Sequence, residues 1–202
     1  KYHVLPLNRL YQMVESKQIK NWVAYDAKNW NSLSQWGELV AEPLFSVNHT
    51  YLTCHESHNF KITTAKDISQ KKIAVIQDFM HPELKHLEDN QQLSLVSVDN
   101  YAQGIHLAAL NRVDGFVEMD IRLRFNLSGV AANTPCLQFV DISEIIPAYS
   151  IYLSTDKHST TDLNTFVNDK IKELKKSKQI RKVINKYNKI KAQPITLYKP
   201  AM

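Results

Sequence analysis

Glycine is scarce in this chain, 4 residues in 202, which excludes a collagen-like repeat and a Gly-rich disordered segment. Long apolar runs are missing too. No stretch approaches the roughly 20 residues a membrane helix needs, and residues 1 to 20 lack the signal-peptide order of charge, apolar core and small-residue cleavage site; a removed signal peptide leaves no trace. The two cysteines, Cys54 and Cys136, have no metal-type spacing. They read either as one disulfide of an oxidising compartment or as two free thiols. No Gly-rich phosphate loop and no Ser-His-Asp spacing occurs. The net charge of +5 is modest, and between Lys170 and Lys189 there are nine Lys or Arg. That run does not alternate with aromatic platforms, so it reads as a solvated helix face and excludes a nucleic-acid partner.

What is present folds. An apolar fraction of 44% over 202 residues suffices for one large domain or two lobes, each with a core. "KYHV" alternates as a strand, "NRLYQMVES" puts Leu10, Met13 and Val14 on one helix face, and "IKNWVAY" is a second strand, so a βαβ unit with parallel pairing is expected. "DAKNWNSLSQWGELVAEP" reads as loop and "LFSVNHTYLT" as strand. The grammar then repeats: a helical turn at Ala65 to Ile68, strand "KIAVI", helix "HPELKHLEDN", strand "LSLVSV", helix "NYAQGIHLAALNR", strand "VDGFVEM", helix "DIRLRFNLS", strand "LQFVDIS". The chain closes with strand "AYSIYLS" and two helices. The first of these helices is capped by Thr161 or Asp162 and buries Leu163, Phe166, Val167, Ile171 and Leu174. Alternation throughout gives an α/β fold with mainly parallel sheets.

In "LNRVDGFVEM", residues 110 to 119, a helix must turn sharply before a buried strand. Arg112 suits the last helical turn, Asp114 the turn itself, and "GFV" an interior strand apolar on both faces. In an open α/β sheet ligands bind beyond the carboxyl ends of the strands, so Glu118 to Asp120 stand where a ligand is met.

This segment resembles the "L-x-x-G-R-V-D-A" turn of the family 3 extracytoplasmic solute-binding proteins, the type 2 periplasmic binding proteins. "KDISQKKIAVIQD" is similar to that family's "DL-x-GKKIGV" lead into the second lobe, "AEPLFSVNHTYL" to its "FS-x-P" segment, and "AYSIYLS" through "VINKY" to its closing strand and helices. The four segments come in family order and cover nearly the whole chain. The resemblance implies a two-lobed α/β protein, each lobe a mainly parallel sheet flanked by helices. Lobe I would be 1 to 45 plus 149 to 202, with its first strand and helix apparently missing, and lobe II 46 to 148. Connecting strands are expected near Phe45 to His49 and Glu144 to Ala148. It further implies an extracytoplasmic receptor that closes on a small polar solute by a hinge motion and serves an ABC importer or a signalling partner. No catalysis, cofactor, metal or membrane insertion is required, and a monomer is expected unless lobe I is completed by swapping.

The candidate ligand residues are Arg9, Tyr25, Asp26, Trp30 and Trp36 in lobe I, and Asp78, Phe79, His81, Glu118 and Asp120 in lobe II. The family's amino-acid signature is absent. No Arg lies between Asp26 and Val47 to take a carboxylate by its fork, and the Gly-Thr/Ser turn after the lobe II strand is replaced by "DFMHPEL". Aromatics with acids instead suit a cationic or hydroxylated solute. Trp22 reads as core. "CHESH" offers Cys54, His55 and His58 as zinc ligands but lacks the spacing of a site. A dehydratase-like enzyme on the same scaffold is the runner-up, with Asp78, Glu118 and Asp120 as acid and base, though it is short of cations to hold a substrate. The effector domain of a transcription regulator is a third reading, and it lacks a DNA-binding domain.

Overall fold

A computed structural model describes residues 7–30, 32–54, 60–77, 79, 81–127, 136–159 and 162–189. In chain order these form α1 (Leu7–Glu15), β1 (Val23–Ala27), β2 (Gly37–Leu39), β3 (Phe45–Val47), β4 (His49–Thr53), a 3-10 turn (Ala65–Ile68), β5 (Lys72–Ile76), α2 (Pro82–Asp89), β6 (Ser94–Val98), α3 (Tyr101–Ala109), β7 (Gly115–Met119), α4 (Asp120–Leu127), β8 (Gln138–Asp141), β9 (Tyr149–Asp156), α5 (Leu163–Lys176) and α6 (Gln179–Lys189). The chain divides into two compact units. One holds the residues up to Ser46 and Tyr149–Ile184, the other Val47–Ala148 and the chain from Asn185. The division falls inside α6, whose end was expected with the first lobe.

In the first unit β9 is the shared strand. β1 and β2 both pair with it antiparallel, Tyr25 opposite Leu153 and Glu38 opposite Thr155, and β3 pairs with it as well. The returning strand β9 thus lies along one edge of β1, while the parallel pairing was expected between β1 and the strand before it. The other half of the expected βαβ unit, residues 2 to 6, lies outside the described residues. β2 is itself a correction, since 37 to 39 read as loop. Two clusters carry the core: Val14, Trp22 and Leu33 under α1, and Val40, Val167 and Ile171 under α5. Trp22 is core, as its surroundings in the sequence suggested. Phe166 is not. It is 61% exposed, since Val167 and Ile171, one turn apart, set the buried stripe and Phe166 falls beside it.

The second unit is a five-stranded sheet in the order β6-β5-β7-β4-β8. β5 pairs parallel with β6 and β7, while β4 runs antiparallel to β7 and β8. Successive side chains of a strand face opposite ways. Tyr51, Ile73 and Val117 accordingly join one core, and Leu52, Ala74 and Phe116 the other. β7 is buried at all five positions, which is why its sequence is apolar without alternation until Glu118. Gly115 opens it because a Cβ there would run into the Tyr51 ring. Glu144 to Ala148, expected as a connecting strand, is a turn in which the N–H groups of Ile145 and Ile146 both donate to the Ile142 carbonyl at 2.9 Å.

The shortage of glycine shows at the helix ends. α1, α2 and α3 all stop in a Schellman turn, and the left-handed residue is Lys17, Gln91 or Asn111, at φ 55°, 57° and 51°. At α3 the Arg112 N–H donates to Leu107 O at 2.9 Å and the Asn111 N–H to Ala108 O at 3.1 Å, the paired bonds that define the motif. Asp114 then ties this turn to the sheet. Its Oδ2 accepts the Lys72 N–H at 2.8 Å and its Oδ1 lies 3.1 Å from Lys71 Nζ.

Cys54 and Cys136 are joined by a disulfide, which resolves the two readings of the pair. It links the end of β4 to the start of β8, at the end of the antiparallel pair opposite to His49. Cys54 is thereby taken out of the "CHESH" zinc reading; His55 and His58 lie outside the described residues.

Candidate functional site

In the first unit the alternation of β1 separates two neighbours that looked alike in sequence. Tyr25 points outward and is 52% exposed, while Asp26 is 2% exposed. The Asp26 carboxylate is consumed locally. Oδ1 accepts the Ala27 N–H at 2.8 Å and Oδ2 the Leu33 N–H at 3.0 Å, so it shapes the turn after β1 and faces away from solvent. Trp36 also turns inward, packing 6.2 Å from the Tyr11 ring beside Val14, Trp22 and Leu33. Trp30 stays with Tyr25, edge-on at 6.0 Å. On its other side it meets Tyr149 edge-on at 5.8 Å, and its indole N–H donates to the Tyr149 hydroxyl at 2.8 Å. Lys28 sits over the ring of Tyr152, 5.1 Å from its centroid. Arg9 is exposed on α1. The outcome is an aromatic surface of Tyr25, Trp30 and Tyr149. Tyr149 escaped sequence reading because β1 and β9 are brought together across more than a hundred residues.

In the second unit, β5 and β7 end where antiparallel β4 begins, so segments distant in sequence converge there. Asp78 lies outside the described residues. Phe79 and His81 follow β5, His81 immediately before Pro82 at the start of α2. His81 is 5% exposed and packs edge-on against His49, the first residue of β4, at 5.0 Å. Phe79 lies 5.3 Å from His81, and the Arg122 guanidinium is 5.2 Å from the centre of the Phe79 ring. Arg122 Nη1 in turn is 3.4 Å from Oε1 of Glu118. His49, His81, Phe79, Arg122 and Glu118 thus form one continuous chain of contacts at the carboxyl ends of the parallel strands. His49 and Arg122 were not singled out from the sequence. The i,i+4 relation of Glu118 and Arg122 was readable, but it spans the junction of β7 and α4, where helical spacing is not expected to hold.

The electrostatics follow from burial. Glu118 is 0% exposed. Desolvation pushes its carboxyl above the usual carboxylate range, opposed by Arg122 and by the Met119 N–H, which donates to Oε1 at 2.8 Å. Among the described residues nothing donates to Oε2. Burial lowers His49 to about 4, helped by the charge of Arg122. His81 falls to about 3 through burial, then His49, then Arg122. Both imidazoles are therefore neutral at pH 7. Asp120 heads α4, where a carboxylate suits the positive end of the helix. Its Oδ1 is 2.6 Å from Arg124 Nε, an ion pair not aligned as a hydrogen bond. Arg124 also lies over Phe139, 4.5 Å from its centroid.

No family model matches the chain, and no curated protein matches it in sequence. Solved structures do match. One is an amino acid ABC transporter substrate-binding protein from Streptococcus pneumoniae bound to L-arginine, 17% identical, with a TM-score of 0.69 over 94% of this chain and 76% of the other. The fold is that of the type 2 periplasmic binding proteins. Two further structures with this fold have different histories. The periplasmic VFT2 domain of Bordetella pertussis BvgS is 14% identical, TM-score 0.67, over 91% of this chain and 74% of that one. An ancestral amino-acid-binding protein, precursor of a cyclohexadienyl dehydratase, is 13% identical, TM-score 0.67, over 94% and 77%. At these identities the likeness to type 2 binding proteins is one of fold. Among the described residues no helix is long and apolar enough to cross a membrane, and no group of three or more His, Cys, Asp or Glu is placed to hold a metal.

Proposed function

We propose that the chain is an extracytoplasmic solute-binding receptor that captures a small polar solute by hinge closure and hands it, or the signal of its presence, to an ABC importer or a sensor protein. The observation that carries the reading is the chain of contacts His49-His81-Phe79-Arg122-Glu118, in which His49, His81 and Glu118 are buried and Phe79 and Arg122 half-buried. It stands at the strand ends where an open α/β sheet meets ligand, in a chain whose fold is shared with solute receptors over more than nine-tenths of its length. The aromatic surface of Tyr25, Trp30 and Tyr149 supplies a second ligand contact. Arg9, Asp78 and Asp120 complete the proposed set, and Asp26 and Trp36 act from behind by shaping the loops. The Cys54–Cys136 bond supports an oxidising, extracytoplasmic location.

The enzyme alternative is weaker on chemistry. A dehydratase needs an acid and a base with access to substrate, and Glu118 is fully buried while Asp120 is paired with Arg124. Native mass spectrometry of the purified protein tests both readings. A retained small molecule that leaves unchanged on denaturation supports the receptor, and small-angle scattering should then show a smaller radius of gyration with it than without. A bound compound that the protein converts into another species refutes a pure receptor.

A further inference from the structure

We infer that the joint between α5 and α6 is an attachment face for an anionic phospholipid surface. Lys176, Lys178, Arg181 and Lys182 supply the charge, and Phe166 and Val183 the apolar contact; none of them belongs to the solute reading above. From Leu163 to Ile184 seven Lys or Arg stand against two acids. That excess of five equals the formal net charge of the whole chain, +5. The remainder of the chain is balanced, so the net positive charge of the protein is accounted for by this helix pair.

Read from the sequence, the basic run was one solvated face; the structure divides it in two. The first cations of α5 are spent. Lys170 Nζ is 2.6 Å from Glu173 Oε2, Lys172 Nζ is 3.3 Å from Asp169 Oδ1, and Lys175 is paired with Glu42. The next four are exposed, and among the described residues no carboxylate pairs with Lys176, Lys178, Arg181 or Lys182. The joint itself gathers them. Lys178 is left-handed at φ 59°, its N–H donates to Lys175 O at 2.9 Å, and its carbonyl accepts the Lys182 N–H at 3.0 Å. The first turn of α6 has no acid, so Arg181 and Lys182 stand uncompensated at the positive end of the helix dipole, three and four residues from Lys178. A face that only needed solvation would intersperse acids, as α5 does. The start of α6 bears a repulsion that nothing local offsets.

Two large apolar side chains lie open among these charges. Phe166 is 61% exposed and Val183 54%. Phe166 shares a helix face with Lys170, four residues on, and Val183 adjoins Lys182. Cations beside exposed apolar groups suit the boundary between headgroups and acyl chains, where charge attraction and apolar burial add. An acidic protein fits less well. Three of the four unpaired cations are Lys, flexible point charges that match a field of headgroups without fixed geometry, whereas recognition of single carboxylates favours the Arg fork. Attachment is to the surface, since among the described residues no helix is long and apolar enough to cross a membrane.

The test is co-sedimentation of the purified chain with vesicles of phosphatidylglycerol and phosphatidylcholine, against vesicles of phosphatidylcholine alone. Wild type should bind the anionic vesicles at least about tenfold more tightly at low salt, and high salt should remove most of the difference. Each cation replaced should weaken binding about fivefold, so Lys176→Gln/Lys178→Gln/Arg181→Gln/Lys182→Gln should lose at least about a hundredfold. A control removes the same charge from exposed lysines elsewhere, Lys20→Gln/Lys61→Gln/Lys66→Gln/Lys157→Gln, and should lose far less. Phe166→Ser/Val183→Ser should bind severalfold more weakly with an unchanged salt dependence. Circular dichroism should show the α6 variant folded, with a Tm no lower than wild type, because it relieves repulsion; should it unfold, Lys178→Gln/Lys182→Gln carries the test. Equal binding to both vesicles, or equal losses in the two quadruple variants, overturns the assignment. So does binding to poly-L-glutamate with none to vesicles, which gives the face to an acidic protein. Every one of these outcomes leaves the receptor reading where it stands.

Discussion

Removing the Cys54–Cys136 bond should weaken the second unit without touching its proposed ligand end. The bond closes a loop with a sequence separation of 82. In the chain-entropy picture such a loop takes about 15 cal/mol/K from the unfolded ensemble, or about 4.5 kcal/mol at room temperature, against about 2–4 kcal/mol for most natural bonds. The double variant Cys54→Ala/Cys136→Ala should therefore lose between about 2 and 4.5 kcal/mol. Urea unfolding followed by far-UV circular dichroism measures the loss, and hydrogen exchange of β4 and β8 amides assigns it to this unit. The slope of the urea transition should also rise, since an unfolded chain without the cross-link exposes more surface. The ligand end is insulated, because His49 and Cys54 are separated by the length of β4, roughly 15 Å at the rise of an extended strand. A bound solute should keep its affinity in the variant. A loss under about 1 kcal/mol, or a weakened solute with the fold intact, would refute this reasoning.

Other consequences concern protonation, helix ends and Asp26. His49 and His81 titrate far below their ordinary 6.5 in the folded state, so the unfolded chain binds more protons between pH 6.5 and about 3. Stability must then fall as pH drops through that window, on the order of 3 kcal/mol for His49 alone; urea midpoints from pH 7 to 4 should decline in wild type and decline less in His81→Gln. Gln91 holds a left-handed conformation at φ 57° that costs a side chain about 1 kcal/mol. Gln91→Gly should raise the Tm, and a lowered Tm would show that the Gln91 side chain makes compensating contacts. Asp26→Ala strands the buried N–H groups of Ala27 and Leu33 and should cost about 2 kcal/mol, measured by urea denaturation. If solute affinity falls with no change in stability, Asp26 contacts ligand directly.

The helices and strands were legible because their hydrophobic periods are local. Leu10, Met13 and Val14 repeat at helical spacing, "KIAVI" and "GFV" read as buried strands, and Asp114 declared its turn. Strand direction in the first unit was not legible. That β9 returns to lie antiparallel beside β1 could not be read from β1 itself, because the pairing joins segments more than a hundred residues apart. The candidate residues divided along similar lines. Phe79, His81 and Glu118 were placed by the rule of strand ends and do gather there. Asp26 and Tyr25 were adjacent in sequence and indistinguishable by chemistry, but the strand's period of two sent one inward and one outward.

By itself the sequence determined most of the helices and strands of the second unit, the α/β grammar and the end of the sheet at which a polar cluster would form, since each of these depends on spacing along a few turns or one strand. Tertiary structure alone decided which charges remain available. Whether a carboxylate keeps its proton, finds an arginine or spends its oxygens on backbone N–H groups depends on burial and on neighbours far away in the chain. That is how three acids that looked alike in sequence came to differ: Asp26 is spent on backbone N–H groups, Glu118 is buried against Arg122, and Asp120 is paired with Arg124.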